Sequence, residues 1–277
     1  MAYMFIFVTL ATLLSTFLGG FLSKFISKQR KEIFTFFQNF AVGGIISLIF
    51  LELLPESVHH FQISANDNFL GALYSLLIIA GTGILFFFLH ELVHKLSHHH
   101  DHDHNDDEEC EDHAHSTEVF NEKSLLLASM IFLLAISVHN IPEGLSLGIT
   151  FIDSANSFPI EGLVMSLILF IHNFLIGFTM CNSFSKCEKS FKFSLSLTTL
   201  SALPAFLLAI IGYFISTISF SDVFLGSIFA ISTGSLLYVF IIELLPQIFK
   251  DYKSKYSFIY ILLGFLVCGL LIYLGGH

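Results

Sequence analysis

The chain has 277 residues, of which 55% are apolar and only 12% are charged, and its mean hydropathy is +0.79. These values exclude an ordinary soluble domain and predict an integral membrane protein. Most of the excess negative charge lies in one loop, and no basic face suited to nucleic acid is evident. The four cysteines have no paired spacing, so we expect neither a disulfide nor a cysteine metal site.

Eight apolar segments reach the roughly 20 residues that a helix needs to cross a bilayer. Lipid permits only helices or closed barrels, and the sequence lacks strand-like alternation. The fold class is therefore all-α: a polytopic membrane protein with eight transmembrane helices in one domain, residues 1–277. The predicted spans are about 4–23, 36–57, 70–93, 125–150, 160–182, 193–217, 223–248 and 257–275.

The basic residues indicate the orientation of these spans. All twelve lysines and arginines lie in alternate connections, beginning with the one after the first span. Because basic residues collect on the cytosolic side, we expect both termini to lie outside. No basic residue precedes the first span, which argues against a cleaved signal peptide.

Spans two and seven contain the same motif. The segment Glu-Leu-Leu-Pro begins at Glu52, nine residues after Gly43, and again at Glu243, nine residues after Gly234. The two spans cross in opposite directions, so the repeat is inverted, as in many secondary transporters. Glu52 is expected near the outer end and Glu243 near the inner end, one acidic group at each mouth of a pathway. The alternative is that both are interfacial residues without a role.

The connection between spans three and four, residues 95–123, is dense in histidine and acidic residues. Such a composition predicts a disordered cytosolic loop. Imidazole alternating with carboxylate suits borderline divalent metals such as Zn²⁺, so we expect weak metal capture instead of a plain hydrophilic linker. The candidate ligands are His98, His99, His100, Asp101, His102, Asp103, His104, His113 and His115.

Just before this loop, His90-Glu91-Leu92-Val93-His94 matches the zinc-protease pattern H-E-x-x-H. An intramembrane metalloprotease is therefore a remote alternative. Against it, the neighbouring histidine tract raises chance matches, and no third ligand of Asn-Pro-Asp-Gly type follows. The motif could instead contribute to a metal-rich cytosolic mouth, or be interfacial histidine without a function.

Polar side chains interrupt the middle of the fourth span at His139-Asn140-Ile141-Pro142-Glu143-Gly144. An acidic residue at a bilayer centre costs about 2.5–3.5 kcal/mol, so such groups usually mark a site. His139 and Glu143 are four residues apart and project from one helical face, where both could bind one cation. Pro142 lacks an N–H, which predicts a kink and a freed carbonyl nearby.

The pattern His-Asn-x-x-x-Gly recurs in the fifth span, beginning at His172, which follows His139 by 33 residues. Two antiparallel helices would bring the two His-Asn pairs to one depth. The sequence therefore predicts that spans four and five share a polar centre in the membrane.

Together, these spans, the histidine-rich loop and the motif of span four resemble the ZIP (Zrt-, Irt-like) family of divalent metal transporters. The paired His-Asn motifs look most like its GufA-type branch, and the resemblance covers the whole chain. It implies a 3+2+3 arrangement, in which the first and last three helices are related by inverted symmetry around a metal centre. The metal ligands that the resemblance implies are His139, Asn140, Glu143, His172 and Asn173.

Two positions depart from the family pattern. The fifth helix usually continues with Pro and Glu, where this chain has Leu175 and Ile176. In the sixth helix Glu usually precedes Pro, where this chain has Leu203. The resemblance assigns both missing carboxylates to a binuclear centre. With Glu143 as the expected anion, one Zn²⁺ leaves a net positive charge in low dielectric, which predicts a weaker mononuclear site or a paralogue that no longer transports.

The predicted function is transport of a divalent metal ion, with zinc as the best single candidate, into the cytosol. The direction follows from the resemblance. The alternative is a non-transporting metal-sensing paralogue or partner subunit. We expect no enzymatic activity and no cofactor, with Zn²⁺ or a similar ion as substrate. The expected partners are divalent metal ions and the lipid bilayer, with a homodimer as the assembly to test, and the expected location is the plasma (cytoplasmic) membrane.

Overall fold

The computed structural model describes most of the chain. The described residues are 2–29, 31–98, 122–153, 160–185, 190–215, 220–246, 248 and 256–274. Within these ranges the chain is helical and contains no strand. Eight helices there are long and apolar enough to cross a membrane. The predicted all-α fold with eight spans is confirmed.

Several spans are longer than predicted, and three contain an irregular turn. Span one is Ala2–Gln29; span two is Lys31–Leu48, a π-helical turn Ile49–Leu53, and Leu54–Ala65; span three is Asn68–His98; span four is Glu122–Asp153; span five is Ile160–Ser185; span six is Phe191–Ser201 and Leu203–Ile215; span seven is Asp222–Val239 with a π-helical turn Phe240–Leu244; span eight is Ser257–Leu274. The helices thus include the two ends of the predicted loop, and its residues 99–121 lie outside the described part.

The two π-helical turns occupy equivalent positions in spans two and seven. Glu52 is the fourth residue of one turn, and Glu243 is the fourth residue of the other. Each turn precedes a proline, Pro55 or Pro246, that cannot donate the usual helical hydrogen bond. A π-turn is a common local response to such a disruption and often occurs at functional sites. The repeated motif therefore has the same backbone in both spans.

Close helix contacts follow the same inverted repeat. A Cβ at Gly43 of span two would overlap the carbonyl of Ile261 in span eight, and one at Gly234 of span seven would overlap that of Ile79 in span three. Exchanging span two with seven and span three with eight converts one contact into the other. Small residues let membrane helices approach this closely.

A second pair of contacts obeys the same exchange. A Cβ at Gly177 of span five would overlap the carbonyl of Thr16 in span one, and one at Gly144 of span four would overlap that of Ala205 in span six. Exchanging span one with six and span four with five relates these two contacts. The packing therefore agrees with the 3+2+3 arrangement and sets spans four and five as its central pair.

The burial of the spans places this pair inside the bundle. Spans four and five have 61% and 72% of their membrane windows buried, against 22% for span three and 17% for span eight. The main apolar cluster joins residues of spans two, three, four, five and seven, among them Ile136 and Ile176. Polar groups on spans four and five therefore lie away from lipid.

Candidate metal centre

Three donor groups from spans four and five converge in the interior. His139 and Glu143 lie one turn apart on span four, and His172 faces them from span five. His139 is 0% exposed, and the other two are also buried. The helix of span four continues through Pro142, so the one-face geometry expected for His139 and Glu143 is retained.

The donor atoms form a nearly equilateral triangle. Nε2 of His139 lies 3.1 Å from Oε1 of Glu143, Nε2 of His172 lies 3.3 Å from the same oxygen, and the two Nε2 atoms are 3.2 Å apart. Tetrahedral Zn²⁺ binds nitrogen or oxygen at about 2.0–2.1 Å, which separates its ligands by about 3.3–3.4 Å. The triangle therefore has the dimensions of three corners of a zinc site.

The chemistry of these donors favours a borderline metal. Two imidazoles and one carboxylate suit Zn²⁺ and its first-row neighbours, whereas Ca²⁺ and Mg²⁺ prefer oxygen ligands. Oε2 of Glu143 is buried without a hydrogen-bond partner among the described residues, and Oε1 lies within 3.3 Å of the two imidazole Nε2 atoms. A buried carboxylate that lacks such partners is costly unless a cation compensates its charge.

Asn140 faces a different neighbour. Its Nδ2 donates to the carbonyl oxygen of Ser201 at 2.7 Å. Ser201 ends the first helix of span six, beside the break at Ala202 that precedes Pro204. The Oδ1 of Asn140 is buried without a partner among the described residues and remains available as an oxygen ligand. The amide thus joins the centre to the broken helix of span six.

Asn173, the residue after His172, has a side-chain amide without hydrogen bonds to other described residues. It is buried, and neither Oδ1 nor Nδ2 has a hydrogen-bond partner in the described part of the chain. Buried amides normally have such partners, and leaving one unpaired costs about 1–3 kcal/mol. An unpaired amide next to His172 is the kind of group that a bound ion or its water would satisfy.

Glu52 differs from the expectation of a residue at an open mouth. Its side chain is only 7% exposed, and Oε2 is buried without a partner among the described residues. Glu52 therefore lies in the interior of the bundle in this structure.

Glu243, its equivalent in the repeat, has another environment. It is half-buried, and Oε1 accepts a hydrogen bond from the hydroxyl of Ser183 on span five at 3.0 Å. Glu243 therefore contacts the same span that contributes His172, three turns farther along. The two repeated glutamates are thus unequally exposed in this structure.

The two positions that lack the family's carboxylates face different surroundings. Ile176 is buried in the main apolar cluster, one turn after His172. Leu203 is 36% exposed and lines an external groove with Leu13 and Phe17 of span one. A carboxylate at position 203 would therefore face the exterior, which corrects the expectation that Leu203 replaces a group at the centre. The group of span six that does contact the centre is the carbonyl of Ser201, which accepts the hydrogen bond from Asn140.

Two residues of the H-E-x-x-H match, His90 and Glu91, have contacts with residues outside the motif. Nδ1 of His90 hydrogen-bonds to the hydroxyl of Tyr238 at 2.7 Å. Glu91 is partly exposed and pairs with Lys95 at 3.5 Å. Among the described residues, only His139, Glu143 and His172 form a group of three that could hold one metal ion. The side chains of His94 and His98 and the remaining loop histidines lie outside the described residues.

Sequence reasoning missed Ser232 of span seven, whose hydroxyl contacts His139 from the side opposite the triangle. A serine in an apolar span has no distinctive pattern, so only the tertiary structure reveals this contact.

The chain matches the model of a known protein family. The family model described as ZIP Zinc transporter matches residues 1–272. A comparison with curated proteins found no match.

Proposed function

We propose that this chain, which belongs to the ZIP zinc transporter family, carries Zn²⁺ into the cytosol through the centre formed by His139, Glu143 and His172. Membership of the family implies transport of divalent metal ions. The choice of zinc and the direction are proposals. The observation that supports zinc most is the triangle of donor atoms, with sides of 3.1–3.3 Å, in the interior of the bundle, whereas the direction rests on the family resemblance.

In this proposal the metal exchanges water for protein ligands as it enters the bundle. Glu52, whose Oε2 is buried without a partner among the described residues, receives the ion before it reaches the three donors. The three donors then bind the ion, and the oxygens of Asn140 and Asn173 can supply further contacts. Release proceeds past Glu243 towards the histidine-rich loop.

Uptake into proteoliposomes tests the proposal. The purified full chain should accumulate Zn²⁺ inside vesicles and leave Mg²⁺ and Ca²⁺ behind, because two imidazoles disfavour those hard ions. His172→Ala should reduce uptake at least tenfold, because it removes one corner of the triangle. Equal uptake of Zn²⁺ and Mg²⁺, or normal zinc uptake by His172→Ala, would contradict the proposed site.

A metal sensor that does not transport is the second candidate. The absence of a carboxylate at Ile176 favours it, because the family pattern places a ligand there and this chain has an apolar residue in the core. The same preparation separates the two functions. Stoichiometric zinc binding by calorimetry without uptake would support the sensor, whereas binding with uptake would support the carrier.

A further inference from the structure

Ser232 holds the imidazole of His139 from the side opposite the metal triangle. Its Oγ lies 2.8 Å from Nδ1 of His139, and both side chains are 0% exposed. The same Oγ lies 3.3 Å from the backbone carbonyl oxygen of His139, to which it donates. Because a serine hydroxyl has one proton, donation to the carbonyl leaves Oγ to accept at Nδ1. With the hydroxyl proton directed at the carbonyl, the neutral imidazole carries its own proton on Nδ1 and its lone pair on Nε2.

Ser232 departs from the usual behaviour of a buried helical serine. Such hydroxyls commonly hydrogen-bond to a carbonyl one turn earlier in their own helix. Its neighbours do so: Thr233 donates to Phe229, and Ser235 donates to the carbonyl of Ser232 itself. Ser232 instead reaches across to span four and contacts both the ring and the backbone of His139. A buried serine hydroxyl that hydrogen-bonds to a neighbouring span, and not to a carbonyl of its own helix, indicates a specific role.

We propose that Ser232 is a positioning residue for metal binding, which fixes the ring of His139 with Nε2 as the metal donor. This inference rests on the proposed function of the centre. Histidine ligands generally donate their second ring N–H to a neighbouring group that sets tautomer and orientation. Ser232 supplies that group here from span seven, so the centre depends on three spans, four, five and seven.

The second histidine lacks an equivalent anchor. In the described part of the chain His172 makes its polar contacts through Nε2, with His139 and Glu143, and no hydrogen bond holds its Nδ1. His139 is therefore preorganised before metal arrives, and His172 is oriented by atoms that also face the metal. Removing the Ser232 hydroxyl should make both histidines equally unanchored and so weaken the centre.

Cobalt binding to the purified full chain tests this role, because the optical spectrum of Co²⁺ reports both affinity and coordination. Ser232→Ala should bind Co²⁺ about 10- to 100-fold more weakly, the range that groups hydrogen-bonded to metal ligands typically contribute. The saturated spectrum should keep its shape, because the three donors remain. Ser232→Thr, which restores a hydroxyl, should recover most of the affinity.

Ser235→Ala is the matched control, because it removes a buried hydroxyl one turn away on the same span. Its affinity should stay within about twofold of the parent, since its hydrogen bond is local. In vesicles, Ser232→Ala should raise the half-saturating zinc concentration while leaving the maximal rate nearly unchanged. Ser232→Cys keeps the volume but accepts poorly, and gives the same comparison if the alanine variant does not purify.

Two results would overturn the inference: unchanged cobalt affinity in Ser232→Ala or Ser232→Cys, or an equal loss in Ser235→Ala. A parent chain that binds no cobalt at all would instead remove the proposed metal centre, and the inference with it.

Discussion

The substitution Ile176→Glu tests whether position 176 of span five faces the metal. Ile176 follows His172 by one turn, as Glu143 follows His139, so Ile176→Glu should direct a carboxylate towards the shared cation. An acidic group inside the membrane costs about 2.5–3.5 kcal/mol. If the carboxylate comes within about 4 Å of a centre of net charge +1, the attraction at an effective dielectric of 20 is about 4 kcal/mol.

Because the new carboxyl group is protonated in the metal-free membrane site and must ionise when metal binds, the difference between these terms predicts a net gain of about 0.5–1.5 kcal/mol, or metal binding about 2- to 12-fold tighter than in the parent. Calorimetry on the purified protein measures this change, and uptake should show a lower half-saturating concentration with a lower maximal rate.

Met180→Glu is the matched control. Met180 lies one turn beyond Ile176 in the same apolar cluster. A glutamate there should have the same cost of burial but should lie too far from the metal to bind it. Infrared spectroscopy can establish whether the new carboxyl group is ionised. Unchanged affinity for Ile176→Glu while the group is ionised would show that position 176 does not face the metal, and the alignment of span five with span four would have to be dropped.

Three further predictions follow from the same structure. His139→Ala and Glu143→Ala should each abolish uptake while membrane insertion, measured by surface labelling, stays normal; parental rates in both would contradict the transport site. Leu203→Glu should leave metal affinity within about twofold, because its side chain faces an external groove; a large change measured by calorimetry would show that it reaches the centre. Replacing residues 98–104 with serine should preserve maximal transport but lower metal retention on the loop side of vesicles, and a complete loss of transport would make the loop an obligatory relay.

The spans and the central ligands were predictable because each depends on a local pattern. Hydropathy marks the spans, a spacing of four places His139 and Glu143 on one helical face, and the repeated His-Asn pair identifies His172. The tertiary contacts were not predictable in this way. Ser232 and His139 are 93 residues apart, and nothing in the sequence near either one indicates that they meet.

The outward direction of Leu203 shows a related limit. Pro204 predicts a disturbance in span six, but the break at Ala202 changes which residues face inward beyond it. An alignment to a family pattern matches positions along the chain. It does not predict which way a side chain points, because that direction depends on the local helical register. The hydrogen bond from Asn140 to the backbone carbonyl of Ser201 was therefore not predictable from side-chain patterns alone.

The unequal exposure of Glu52 and Glu243 connects the inverted repeat to a mechanism. The two glutamates share a motif, a π-helical turn and a following proline, so local sequence gives no reason for one to be buried and the other half-buried. The difference must arise from how the surrounding spans pack. In a bundle built from inverted repeats, exchanging the packing of the two halves exchanges the environments of equivalent residues. A conformation in which Glu52 is the more exposed residue and Glu243 the buried one is then of comparable construction.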